Sequence, residues 1–450
     1  MKLAPYCLAL MLCGLLGQPM QAAAHIRVTS STPAAGRTHP AGVREVRITF
    51  SQRVELRYTQ IRVVDAAGAE LALLSIAPAD STLREFVATL GAPLAGGNYT
   101  VHWRTAGPDG HVISGEYGFG VLAEALDTVS SRIVEAPPDP GTVRGRSMTT
   151  DPNARPVAVV VRWLNLLAVL LGLGVVVFRT VILPDANFSS APESYWSALD
   201  AGLRRMGMGA GILVLLAALP RYALQSAALH GREFMFDAQR AGALLFDTAW
   251  GIGWLLQITA GLVLVFAARQ RSRPLAMAAA VALSITPALS GHAVGVERMT
   301  GLAIASDTLH VLGAATWIGS LSMIVLLALP IAFRQGGTAH AGLAATVRAY
   351  SPVALIAAAA ILLTGVAAAL VHTTRISELW TTAYGRTLLV KLALVGLVAA
   401  LGLHNWRRVR PKLGQAESSA NLRRSALLEL TFALLVVLVT AVLVAMPLPY

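Results

Sequence analysis

His25 lies where protein export would expose it as a metal ligand. Lys2, a short apolar run, and the small residues Ala22 and Ala24 are typical of a secretory signal peptide cleaved just before His25. The mature chain would then begin with histidine, whose free α-amino group and imidazole can both bind one metal ion when deprotonated. We therefore predict that residues 1–24 are removed and that His25 is a metal ligand.

A second cluster is Asp109-Gly110-His111, in which an Asp-Gly turn brings a carboxylate and an imidazole close together. Two imidazoles, an amine and a carboxylate form a nitrogen-rich set that suits Cu(II), whereas the competing ion Zn(II) favours tetrahedral sites. Both cysteines of the chain, Cys7 and Cys13, lie in the signal peptide. The predicted mature protein therefore has no thiolate ligand.

Three further histidines, His292, His310 and His372, lie in the apolar C-terminal part of the chain. Ionisable side chains in such segments are costly and usually functional, so we take the three as a candidate membrane metal site. The alternative is three unrelated histidines, each satisfied by its own neighbours. Asp307, one helical turn before His310, is predicted to orient its ring.

The elements that carry these residues fall into two classes. Residues 25–121 alternate apolar and polar side chains in short runs separated by Gly-, Pro- and Asn-rich turns, which predicts a β-sandwich or barrel of roughly 100 residues. The predicted strands are 43–50, 61–64, 85–90, 99–104 and 113–121. Residues 122–156 lose this pattern and are rich in proline, which predicts a stiff linker.

The remainder is too apolar for a soluble protein: the whole chain is 55% hydrophobic and only 13% charged. We predict about eight transmembrane helices within residues 157–446, an all-α bundle. The predicted spans are 157–178, 206–227, 242–267, 275–293, 302–331, 352–371, 386–404 and 426–446. The net charge of +12 does not indicate nucleic acid, because the basic residues cluster in short loops between the spans.

Loop charge predicts the orientation. Basic residues concentrate at 269–273 and 407–424, so both loops should be cytoplasmic and both chain ends periplasmic. His292, His310 and His372 then share the outer half of the bilayer. His404 falls at the cytoplasmic end of the seventh span and His340 in a cytoplasmic loop, which excludes both from that site. Lys391 is expected either to pair with a carboxylate such as Asp247 or to lie on a transport pathway.

Residues 25–121 resemble CopC, the periplasmic copper-binding protein of bacterial copper homeostasis. The resemblance rests on His25 and on two blocks, Gly97-Asn98-Tyr99-Thr100-Val101-His102-Trp103-Arg104 and Asp109-Gly110-His111 running to Phe119. It implies an immunoglobulin-like β-sandwich and Cu(II) held by His25, through amine and ring, and His111, with Asp109 alongside. Some CopC proteins carry a methionine-rich Cu(I) site, but residues 21–147 contain no methionine. This domain is therefore predicted to bind Cu(II) only.

The apolar part resembles CopD, the inner-membrane partner of CopC. The matching stretches are Ser290-Gly291-His292-Ala293, Asp307 to Gly319, and Tyr384-Gly385-Arg386 with Lys391. The resemblance implies copper handling across the inner membrane, with Cu(I) as an open alternative to Cu(II) in this part. It assigns no ligand set.

We therefore predict a multi-pass inner-membrane copper homeostasis protein, not an enzyme, with its β-domain in the periplasm. Its expected partners are copper ions, the lipid bilayer and periplasmic copper carriers, and no nucleic acid. Two alternatives stay open. The outer-half histidines could hold haem in an electron carrier. An N-terminal histidine together with a second histidine also binds the copper ion of copper-dependent oxidases.

Overall fold

The computed structural model describes residues 28–107, 110, 112–123, 156–231, 234–295, 299–372 and 375–446, with the backbone alone at 292, 295 and 370–372. The chain divides into two compact units. A strand-rich unit comprises residues 25–155 together with 225–236, and a helical unit comprises the rest. The predicted signal peptide and nearly all of the predicted linker lie outside the described residues.

The strand-rich unit contains two four-stranded sheets. One has the order β1-β3-β6-β5, all antiparallel, and the other β2-β8-β7-β4, in which the short β2 runs parallel to β8. The strands are β1 (Val28–Thr32), β2 (Thr38–His39), β3 (Glu45–Phe50), β4 (Gln60–Asp65), β5 (Leu73–Pro78), β6 (Glu85–Leu90), β7 (Gly97–Ala106) and β8 (Val112–Val121). All five predicted strands are present, and β1, β2 and β5 were not predicted because their apolar alternation is short or interrupted.

The core between the two sheets follows from the alternation of the sequence. Every second residue of β3, β6 and β7 is buried, and Phe50 packs edge-on against Phe86 and Trp103, with ring centroids 6.2 Å and 5.5 Å apart. Gly115 lies opposite Trp103, and a Cβ there would approach the indole to 2.6 Å. The predicted β-sandwich is confirmed.

The helical unit contains long apolar helices and two short ones, α3 and α8. Its helices are α1 (Pro156–Val177), α2 (Glu193–His230), α3 (Ala238–Phe246), α4 (Ala249–Gln270), α5 (Arg273–Leu289), α6 (Thr300–Gln335), α7 (Ala339–His372), α8 (Glu378–Thr381), α9 (Ala383–His404) and α10 (Ala416–Leu443). Seven helices in the described part are long and apolar enough to cross a membrane. The remaining predicted span, the fourth (275–293), corresponds to α5, whose 17 residues stand at the lower limit of about 17 that a bilayer requires.

Close packing of α1 against α6 depends on two glycines. A Cβ on Gly174 would lie 2.5 Å from the carbonyl carbon of Gly319. Small residues at such crossings let helix backbones approach in a membrane, where lipid supplies no hydrophobic drive for association. The approach fixes the position of α6, which carries His310.

Four predicted spans, those beginning at 206, 242, 352 and 426, start seven or more residues away from the start of their helices, and two of them show the reason. The third predicted span began at residue 242, but Thr248 caps α4 by accepting the Gly251 N–H at 2.9 Å, and α3 ends before it. Asp247 and Thr248 interrupt the apolar run at this break, and the prediction read through these two polar residues. The sixth predicted span began at 352, whereas α7 begins at Ala339 and continues through Pro352. Neighbouring helices and side chains let membrane helices tolerate an internal proline.

Candidate functional site

The loop that contains Asp109 and His111 joins the two longest strands of the β-sandwich. Strands β7 and β8 pair from Gly97↔Val121 to Ala106↔Val112, so residues 107–111 form the hairpin connection. The Gly110 N–H donates to the Gly107 carbonyl at 2.9 Å, and Gly110 has φ +75°, a backbone conformation that favours glycine. The sheet thus anchors both ends of the predicted Asp-Gly turn. His25, Asp109 and His111 themselves lie outside the described residues, and their metal site stays a prediction.

The other two histidines of the β-sandwich have protein partners. The ring Nδ1 of His102 lies 3.1 Å from the Glu116 carboxylate, its cross-strand neighbour, with about a third of its side chain exposed. The His39 Nε2 accepts the backbone N–H of Ala34 at 2.9 Å. Across the described stretches of the chain, no three His, Cys, Asp or Glu side chains cluster closely enough to hold a metal.

His310 is the membrane histidine whose surroundings are described in full. Its Nδ1 lies 2.8 Å from the Thr364 hydroxyl oxygen on α7. That hydroxyl donates its own hydrogen to the Ala360 carbonyl at 2.7 Å, so its oxygen can only accept from the ring. With the hydroxyl hydrogen on the Ala360 carbonyl, the neutral ring would donate from Nδ1, and Nε2 would be the nitrogen without a proton. This is the tautomer in which a histidine binds metal through Nε2.

The Thr364 hydroxyl is in contact with Nδ1 of the His310 ring. The role of Asp307 in orienting this ring stays a prediction. Asp307 interacts electrostatically with Lys391 of α9, and the charge of Lys391 also reaches His310. The suggested partner of Lys391, Asp247, ends α3 as its C-cap. Two helices, α6 and α9, thus bring a carboxylate, an imidazole and an ammonium group into one polar cluster, which we call the outer cluster (Asp307, His310, Lys391).

His292 and His372 flank this cluster in the chain, and their side chains lie outside the described part. The His292 backbone begins a 3₁₀ turn after α5, and His372 ends α7. His372 follows Thr364 by two helical turns, a rise of about 12 Å along the axis. Convergence of the three rings on one metal stays a prediction.

The histidines excluded from the site lie apart from it. His404 is exposed at the end of α9. His340 was predicted to lie in a loop, and this is wrong. It is in the first turn of α7, is 5% exposed, and its Nδ1 lies 3.0 Å from the Ser419 hydroxyl of α10.

Sequence reasoning missed one buried carboxylate, Glu429 of α10. It is 4% exposed and accepts hydrogen bonds from Trp317 on α6 and Asn405 beyond α9. The signal was available, since Glu429 interrupts the apolar segment of the last predicted span, where a lone ionisable residue indicates function.

Comparisons with known proteins match this two-part organisation. The CopC domain family matches residues 28–122, the family described as Copper resistance protein D-like, N-terminal domain, matches 149–302, and Copper resistance protein D matches 344–443. The three matches follow one another in the order of the strand-rich and helical elements.

Individual proteins are similar to the whole chain or to its strand-rich part. The Copper transport protein CutJ of Bacillus subtilis is 25% identical over 443 residues, covering 96% of this chain and 76% of that protein. Copper resistance protein C of Pseudomonas syringae pv. tomato is 31% identical over 105 residues, covering 22% of this chain and 82% of that protein. The crystal structure of CopC from Methylosinus trichosporium OB3b is 26% identical with a TM-score of 0.22, covering 23% of this chain and all of that one. With its CopC domain followed by both CopD domains, the chain belongs to the fused CopC–CopD copper resistance family.

Proposed function

We propose that this protein captures Cu(II) in the periplasm and passes copper to its helical unit for import across the bacterial inner membrane. Cu(II) would be held by the amine and ring of His25, by His111 and by Asp109. The observation that carries the proposal is the order of the matched families, a CopC domain followed by CopD domains in one chain.

The outer cluster supports the second step. Thr364 leaves the Nε2 of His310 unprotonated, which is the form that accepts a copper ion. Lys391 places a positive charge nearby and Asp307 a negative one. A cation that binds His310 would be attracted by Asp307 and repelled by Lys391, a balance that suits transient rather than permanent binding.

Copper accumulation in cells tests this function. Cells that express the protein should accumulate more copper than cells without the gene, measured with radioactive copper. His310→Ala should reduce accumulation to the level of cells lacking the gene, because it removes the predicted membrane ligand. His404→Ala is the matched control, since His404 is exposed at the far end of α9, and should leave accumulation unchanged.

Two results would contradict the proposal. Equal accumulation in the His310→Ala and His404→Ala variants would show that His310 is not on the pathway. Lower accumulation in cells with the wild-type protein than in cells without it would reverse the proposed direction.

A further inference from the structure

A second polar cluster in the helical unit has no role in the proposed copper site. We call it the inner cluster (Glu429, Trp317, Asn405). The Oε1 of Glu429 accepts the indole N–H of Trp317 at 3.0 Å, and Oε2 accepts the amide N–H of Asn405 at 2.9 Å. Among the described residues, Glu429 forms no ion pair within 4 Å with a cationic side chain. Glu429 lies near the middle of the 28-residue α10.

A structural role alone does not explain a carboxyl group here. Burying an ionised carboxylate without a cation is expensive, and more so at membrane depth. A glutamine at this position could accept from Trp317 and donate to Asn405 without carrying charge. The ionisable group is therefore retained at a cost in stability, which is typical of functional residues in membrane helices.

Asn405 can form a hydrogen bond with Glu429 in both its ionised and its protonated form. Its Nδ2 donates to the carboxylate, while its Oδ1 is buried and has no hydrogen-bond partner among the described residues. If the amide turns over, Oδ1 faces Oε2 and can accept a hydrogen bond from a protonated carboxyl group. The unpartnered oxygen is thus the acceptor that the neutral acid needs.

Local backbone geometry aims both donors at the carboxylate. Trp317 lies within a π-helical turn, residues 315–319, and Asn405 begins another, residues 405–409. Such turns are rare in proteins, and many of those that occur lie at functional sites. On α7, the titratable group whose charge couples to Glu429 is the Tyr350 phenol, which donates to the Trp317 carbonyl at 3.1 Å.

We propose that Glu429 is an intramembrane proton-binding site. A proton from water on the cytoplasmic side forms an O–H bond with Oε2, and the Asn405 amide turns over to accept that hydrogen. Release of the proton to the same water restores the carboxylate and the original amide orientation. Trp317 follows His310 by two helical turns, about 10 Å along α6, so the proton site is separate from the outer cluster. The proposal requires no bound metal.

Infrared difference spectroscopy of the purified full-length protein in lipid, recorded against pH without copper, tests the site. Asp307 and the exposed carboxyl groups also give carboxylic-acid C=O bands when protonated, so the spectrum of the isosteric Glu429→Gln is subtracted from that of the wild type. The wild type should show one additional C=O band that disappears as the pH rises and that Glu429→Gln lacks. The matched control is Glu417→Gln, which changes an exposed carboxylate on the same helix and should keep it.

A second variant keeps the test decisive if Glu429→Gln fails to fold. Trp317→Phe removes a hydrogen bond to the ionised form, so the pH midpoint of the band should move upward by about one pH unit or more. Three results would overturn the proposal: no such band in the wild type at any pH where its far-UV circular dichroism is native, persistence of the band in Glu429→Gln, or an unchanged midpoint in Trp317→Phe.

Discussion

At His310, one hydroxyl group is positioned to select which ring nitrogen carries the proton. The Thr364 hydroxyl oxygen lies 2.8 Å from Nδ1, and its hydrogen can be donated to the Ala360 carbonyl. Partners that orient a metal-binding histidine are worth about 10–100-fold in metal affinity. The proposed membrane site would therefore depend on a threonine that offers no ligand atom itself.

Thr364→Val tests this dependence. Valine keeps the shape of threonine but removes the acceptor, so copper affinity at the membrane site should fall by about 10–100-fold. Competition titration of the full-length protein in a His111→Ala background isolates the membrane site. The control is Thr431→Val, an exposed threonine whose hydroxyl makes the same i−4 bond, to Leu427. Equal affinities in the two variants would contradict the role of Thr364.

Among the elements, the β7–β8 hairpin is the one that presents the predicted Cu(II) ligands. Its ten-residue strands pair over their full length, and the pairing reaches Ala106↔Val112 on either side of the predicted turn. The sandwich has its own apolar core, and its relatives include a protein of which it covers 82%. We therefore expect residues 25–121 to fold as an isolated fragment.

That fragment should bind one Cu(II) ion tightly and Cu(I) poorly, because nitrogen and oxygen ligands without thioether favour Cu(II). His111→Ala should weaken Cu(II) binding at least about tenfold, or about 1.4 kcal/mol, in a competition titration. His102→Ala is the control on the same hairpin, since His102 pairs with Glu116, and should bind Cu(II) like the wild type. Tighter binding of Cu(I) than of Cu(II) would refute the predicted ligand set.

At the scale of the whole molecule, export links the signal peptide to the metal site. Cleavage after Ala24 would create the amine of His25 on the periplasmic side, where the predicted topology also places both chain ends. A chain that is cut elsewhere keeps the imidazole of His25 but loses its amine as a ligand.

Intact mass of the exported protein should therefore correspond to a chain beginning at His25. One alanine inserted between Ala24 and His25, and retained in the mature chain, should weaken Cu(II) binding, because the amine and the imidazole would no longer belong to one residue. The same insertion after Leu122, beyond the end of β8, should leave Cu(II) binding intact. Unchanged Cu(II) affinity in the first insertion would rule out the amine as a ligand.

Local patterns in the sequence were sufficient to predict the two-unit architecture. Alternation over two residues predicted the long strands of the β-sandwich, and apolar length predicted the membrane helices. Such signals depend on neighbours in the chain, so they survive without tertiary information. The same reasoning placed His310 in a membrane helix and recognised the Asp109-Gly110-His111 motif.

Tertiary structure alone decided which side chains meet. His310 and Thr364 are 54 residues apart in the chain, and Trp317 and Glu429 are 112 apart. Sequence periodicity does not specify the rotation of one membrane helix against another, because packing at glycine crossings and interhelical hydrogen bonds set it. The tautomer of His310, the link between Lys391 and Asp307, and the donors around Glu429 all follow from that packing.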